Sequence, residues 1–115
     1  MKYKVEIYED EELGELMIDV PEEISTVVHL VLSDIQEDGS ELWLDRVNKV
    51  LSRESSYEEV TGNACTMEVK YDLTKIVLEF PTEGAPDHCF IETEELKKIF
   101  MLWDEAIEKK YGESN

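Results

Sequence analysis

The stretch CTMEVKYDLTKIVLEF, residues 65–80, decides the fold. Cys65, Met67, Val69 and Tyr71 fall on one side of an extended chain, with Thr66, Glu68, Lys70 and Asp72 on the other. Side chains alternate across a strand, so this pattern predicts a strand with one buried face. A turn at Asp72-Leu73-Thr74-Lys75 then returns the chain through Ile76, Leu78 and Phe80. The pair reads as a β-hairpin.

Downstream, Pro81 to Pro86 reads as a loop and Cys89-Phe90-Ile91 as a short strand. Thr93 is placed to cap a last helix, with Glu94 and Glu95 in its first turn, where the helix dipole favours acids. Leu96, Ile99, Phe100, Trp103 and Ile107 recur at helical spacing and form its apolar stripe. Lys109 and Lys110 suit its last turn, and Gly112 is a candidate terminator.

Upstream, residues 52–63 are polar, although Tyr57 and Val60 are able to begin a strand. Before them, Trp43, Leu44, Val47, Val50 and Leu51 predict a helix facing inward, with Ser40 or Asp38 as its cap. Ile24, Val27, Val28, Val31 and Ile35 predict another, opened by Pro21 and running to about Gln36. The N-terminus alternates twice, at residues 3–7 and 15–20, around the segment Glu9-Asp10-Glu11-Glu12-Leu13-Gly14. This predicts a second hairpin, with Gly14 free to take a positive φ. The expected architecture is α+β. An antiparallel sheet from two hairpins packs against about three helices, one of them C-terminal, in a single domain over residues 1–115.

Charge narrows the partners. Asp plus Glu number 29 against 11 Lys plus Arg, a net of −18. Affinity for phosphate comes from Lys and Arg, so direct binding to nucleic acid or an anionic membrane is excluded from the expectation. No Lys or Arg occurs from Val5 through Asp45, a window that holds fourteen acids. A second base-free window runs from Ile76 to Leu96, with Glu79, Glu83, Asp87, Glu92, Glu94 and Glu95. Solubility alone is served by interspersed charge. Long runs of one sign point instead to electrostatic steering toward a basic partner.

The N-terminus MKYKVEIYED lacks the apolar core of a signal peptide, and Val27 to Leu32 is far too short to cross a bilayer. Two cysteines make no disulfide framework, so a reduced, cytoplasmic setting is expected.

Catalytic and metal constellations are weak. His29 lies among Val28, Leu30 and Val31 and reads as a residue flanking a core stripe. His88 and Cys89 are adjacent in an extended segment and point to opposite faces, which works against a thiol–imidazole dyad. Cys65, His88 and Cys89 lack the spacing of a zinc site. The run Glu9 to Glu12 lacks the alternating ligands and central glycine of a calcium loop. No glycine-rich phosphate loop is present. Trp43 and Trp103 occupy core positions. No cofactor, no metal and no catalytic activity are expected.

The segment NACTMEVKYDLTKIVLEF, an acidic loop and then IETEELKKIFMLWDEAIEKKY resemble the C-terminal half of small bacterial immunity proteins that accompany polymorphic toxins, including those of contact-dependent growth inhibition. The likeness covers residues 63–111 and supplies no set of functional residues. It implies a cytosolic, non-enzymatic protein that binds a cognate toxin and blocks its active site. A nuclease toxin has a basic cleft, which an acidic inhibitor fits. The candidate contacts are the predicted loop residues Glu9, Asp10, Glu11, Glu12, Glu37, Asp38, Glu83 and Asp87. The rival reading is an acidic regulatory domain, or nucleic-acid mimic, that binds a basic protein other than a toxin. A small enzyme with a carboxylate or Cys–His site is a third.

Overall fold

The computed structural model describes residues 1–81 and 83–112; Thr82, within the expected 81–86 loop, lies outside the described residues. The chain is α+β, as expected, but its two hairpins belong to separate sheets. Strands β1 (Glu6–Glu9) and β2 (Leu16–Asp19) pair antiparallel, with Ile7 opposite Ile18 and Glu9 opposite Leu16. Strands β3 (Glu58–Thr61), β4 (Cys65–Val69), β5 (Leu73–Leu78) and β6 (His88–Glu92) form a four-stranded antiparallel meander.

The register corrects the predicted turn. Val69 pairs with Thr74, and Lys70 N–H donates to Leu73 O at 3.2 Å, so the chain reverses at 70–73. Thr74, Ile76 and Leu78 then share the inner face, while Tyr71 and Phe80 are exposed. Both aromatics lie beyond the paired segments, where alternation no longer dictates burial.

Helix α1 (Thr26–His29) passes directly into a π-helical segment, Leu30–Ile35. The wider turn lets Leu30, Val31 and Ile35 all reach the core, whereas His29 stays on the outside. A 3-10 turn, Gln36–Asp38, follows, and Gln36 takes φ 54° and ψ −143°. Helix α2 (Glu41–Leu51) buries Trp43, Val47 and Val50; Leu44 and Leu51 are half-buried. Helix α3 (Thr93–Tyr111) buries Leu96, Ile99, Phe100 and Trp103, with Ile107 at the core's margin.

Both predicted side-chain caps have other partners. The Ser40 hydroxyl donates to Asp104 Oδ2 at 2.6 Å, and Ser40 N–H to Asp104 Oδ1 at 2.8 Å, tying the start of α2 to α3. Thr93 is the first helical residue rather than the cap; its hydroxyl donates to Lys70 O at 2.5 Å and meets Thr74 Oγ1 at 2.9 Å. Gly112 ends α3 with φ −74°, so no left-handed cap forms there.

The first strand begins later than expected, and residues 2–3 are held by side chains instead. Lys2 Nζ and Tyr3 Oη donate to Glu92 at 2.5 and 2.6 Å, and Lys2 N–H donates to Glu95 Oε1 at 2.5 Å. The hydrogen bond from Lys2, then that from Tyr3, lowers the Glu92 carboxyl from its ordinary 4.5 to about 2. A depressed folded-state pKa contributes stability above the unfolded value and loses it as pH falls toward the folded one. The melting temperature should therefore drop as pH is lowered from 4.5 to about 2. Glu92→Gln should melt lower at neutral pH and show a smaller acid drop. Parallel wild-type and variant acid titrations would refute this contribution.

Candidate partner-binding surface

Three elements meet at one end of the molecule. The β1–β2 loop closes with Asp10 N–H on Glu15 O at 2.8 Å and Gly14 N–H on Asp10 O at 2.7 Å. Gly14 has the φ of 68° that this closure demands, in the left-handed region open to glycine at little cost. The C-terminal turn of α3 lies alongside. Lys110 is ion-paired with Glu9, and Tyr111 Oη donates to Glu37 Oε1 at 2.8 Å. The last helical turn thus joins the hairpin to the 36–38 turn.

The candidate carboxylates divide by what holds them. Glu9 is the last residue of β1 rather than a loop residue, and is bound to Lys110. Asp10 Oδ1 accepts the N–H groups of Glu12 at 2.9 Å and Leu13 at 3.0 Å, an Asx-type turn that makes it part of the loop's scaffold. Glu11 and Glu12 are exposed and take no ion pair among the described residues. Glu37 accepts the Tyr111 hydroxyl, and Asp38 is exposed beside Glu41 and Asp45. Glu83 and Asp87 lie elsewhere, on the β5–β6 connection of the four-stranded sheet. Asp87 Oδ1 lies 2.6 Å from His88 Nδ1, and that hydrogen bond holds its carboxyl below the usual range.

The Tyr111 phenol reports how closely the acids of the first window converge. Its pKa is pushed up to about 12, first by the hydrogen bond to Glu37, then by burial and the charges of Glu37, Glu9 and Glu15. Glu15 was absent from the candidate set, although it lies in the same base-free window. Its place beside Glu37 depends on how the hairpin packs on the π-helical segment, which strand alternation does not encode.

Two clefts of mixed apolar and charged lining adjoin these acids. One, of about 620 Å³, lies between the hairpin and α3; Val5, Ile7, Leu16, Leu102 and Ala106 line it, with Glu9, Glu105, Lys109 and Lys110 around it. A second, of about 370 Å³, is lined by Leu16, Met17, Leu32 and Trp103, with Glu15 and Glu37 as its charged members. Trp103 is 2% exposed, and its Nε1 donates to Gln36 O at 2.9 Å.

The chemistry expected of Cys65 and Cys89 is that of buried apolar residues. Burial pushes the Cys65 thiol up to about 12 and raises Cys89 too, so both stay protonated at neutral pH. Thr26 Oγ1 donates to Cys89 Sγ at 2.6 Å. His88 faces outward while Cys89 faces inward, as alternation requires. Among the described residues, no group of three or more His, Cys, Asp or Glu side chains is arranged to hold a metal ion. Nor is any described helix long and apolar enough to cross a membrane.

A protein of Bacillus cereus named "Immunity protein" is 30% identical to this chain over 102 residues, which span 88% of this chain and 86% of that one. The chain belongs to this immunity-protein family. No protein-family model matches it, and no solved structure matches it. The immunity-protein part of the likeness read from residues 63–111 holds over more of the chain, because 102 of 115 residues cannot be aligned without most of the N-terminal half. That half carries the β1–β2 hairpin, the π-helical segment and the larger base-free window. In this member of the immunity-protein family, the candidate acids of that end come from the half in which the sequence showed no likeness, and α3 supplies the other wall of the larger cleft.

Proposed function

We propose that the chain neutralises a cognate toxin of the polymorphic-toxin class, such as those of contact-dependent growth inhibition, by occupying its active site in the cytoplasm. The toxin is a nuclease whose basic cleft receives the acidic end of the chain. Glu11, Glu12, Glu37 and Asp38 make the outer contacts, Glu9 and Asp10 shape the loop that presents them, and Glu83 and Asp87 form a second, separate acidic contact on the β5–β6 connection. The inhibitor acts by occlusion, as one folded unit and without catalysis.

The observation that carries this reading is the placement of acid. A 41-residue window without Lys or Arg, Val5 through Asp45, includes both the hairpin loop and the 36–38 turn, and the fold brings these together at the end of α3. A cleft built for phosphates offers the complementary charge. Family membership supports the immunity role itself.

The test is digestion of labelled nucleic acid by the toxin domain encoded beside the gene. Stoichiometric chain should abolish cleavage. Association should slow as salt rises from 0.01 M to 0.1 M, over which the Debye length falls from ~30 Å to ~10 Å. Unchanged digestion with the chain in excess would refute the proposal.

A further inference from the structure

The two clefts share Leu16 as a lining residue and so lie side by side, a trough of mixed apolar and charged lining from the hairpin–α3 junction to the π-helical segment. Leu102 is 37% exposed at its wall, and Tyr8 is 50% exposed at its hairpin side.

Charge selects the occupant. The smaller cleft has Glu15 and Glu37 and no base among its lining residues. The larger has Glu9, Glu105, Lys109 and Lys110, and Lys110 is already bound to Glu9. A second copy of this chain would bring another −18 charge against the first. An anionic lipid surface is opposed by the same sign. A segment carrying both apolar and basic side chains satisfies floor and rim together.

We propose that this trough is the anchor site for the toxin, receiving an exposed segment in which an aromatic or branched aliphatic side chain is flanked by arginine or lysine. The inference rests on the toxin-neutralising function above and adds where the binding energy resides. The apolar anchor packs against Leu16 and Leu102, and its basic neighbours meet Glu15, Glu37 and Glu105. Hot spots of interfaces are buried anchors of this kind, whereas rim charges act mainly on encounter.

The experiment measures equilibrium binding of the same toxin domain to wild type, Leu102→Lys, Ala106→Trp and Phe90→Lys. Leu102→Lys places a repelling charge at the wall, and Ala106→Trp fills the floor. Phe90, 53% exposed on the four-stranded sheet, serves as the apolar control. The first two variants should weaken binding by about 30-fold or more, the scale of a lost interface anchor. Phe90→Lys should bind like wild type. Methyl NMR of Leu16 and Leu102 in the wild type should shift on toxin addition, which reads the site even if a variant misfolds. Wild-type binding with unperturbed variants or unshifted methyls overturns the trough and leaves the toxin function standing. A wild type that does not bind the toxin overturns both.

Discussion

Trp103→Ala should lower unfolding stability by about 3–5 kcal/mol, the usual cost of truncating a buried aromatic. Trp103 is 2% exposed and lies on the α3 stripe with Leu96, Ile99 and Phe100. Two losses coincide. The cavity removes packing under the hairpin and the π-helical segment, and the Gln36 carbonyl loses the indole donor that reaches it at 2.9 Å. Trp103→Phe separates them, since it keeps much of the ring but not the donor. An orphaned polar partner costs about 1–3 kcal/mol, so the phenylalanine variant should fall between wild type and alanine. Urea unfolding measures all three. A cost for alanine below about 1 kcal/mol, the range of ordinary surface changes, would remove Trp103 from the core.

The second large effect concerns encounter with the toxin. Glu11→Lys with Glu12→Lys should slow association by ~10- to 10³-fold, the range that electrostatic steering supplies. The melting curve should barely move, because both side chains are exposed and the loop is held by Asp10. Reversing Glu9 and Asp10 as well would confuse the result, since Asp10 accepts the N–H groups of Glu12 and Leu13 and Glu9 holds Lys110. The matched comparison is Glu83→Lys with Asp87→Lys on the β5–β6 connection. Stopped-flow association at low salt reads both. If the first pair changes nothing while the second slows binding, the toxin meets the four-stranded sheet's end. If neither slows it, steering by these loops is wrong, whatever the affinity.

Local periodicity made most elements legible. The α3 stripe and the inward set Cys65, Met67 and Val69 of β4 follow from side-chain spacing and fall where their patterns placed them, whereas Thr66 is buried on the other side, Tyr71 lies beyond the strand, and the first hairpin loop begins one residue later than expected, after Glu9. The errors arise where tertiary partners override a local rule. Ser40 and Thr93 have good cap chemistry, but their hydroxyls donate to Asp104 and to the Lys70 carbonyl, and neither helix has a side-chain cap bond. The spacing of Ile24, Val27, Val31 and Ile35 suits an ordinary helix, and nothing in it marks the widening at Leu30. The binding surface was legible as charge and not as shape. Base-free windows are visible in a linear string. That Glu9, Glu15 and Glu37 would crowd one phenol, or that Leu16 and Leu102 would wall a trough, depends on packing between distant segments.

Asp34, in the π-helical segment, accepts the N–H groups of Ala64 at 2.8 Å and Cys65 at 2.9 Å, and so holds the turn between β3 and β4. Gly62 is what leaves room for that carboxylate, because a methyl group there would lie 2.6 Å from Asp34 Cγ. The two positions are therefore one heritable unit. A lineage that gains a side chain at 62 must move the aspartate and leave the Ala64 and Cys65 N–H groups without it, the latter in a residue that is fully buried. A lineage that loses the aspartate frees 62 to vary. Among relatives, a side chain at 62 should therefore appear only where Asp34 has been lost, so the pair offers a test of this packing in natural variation alone.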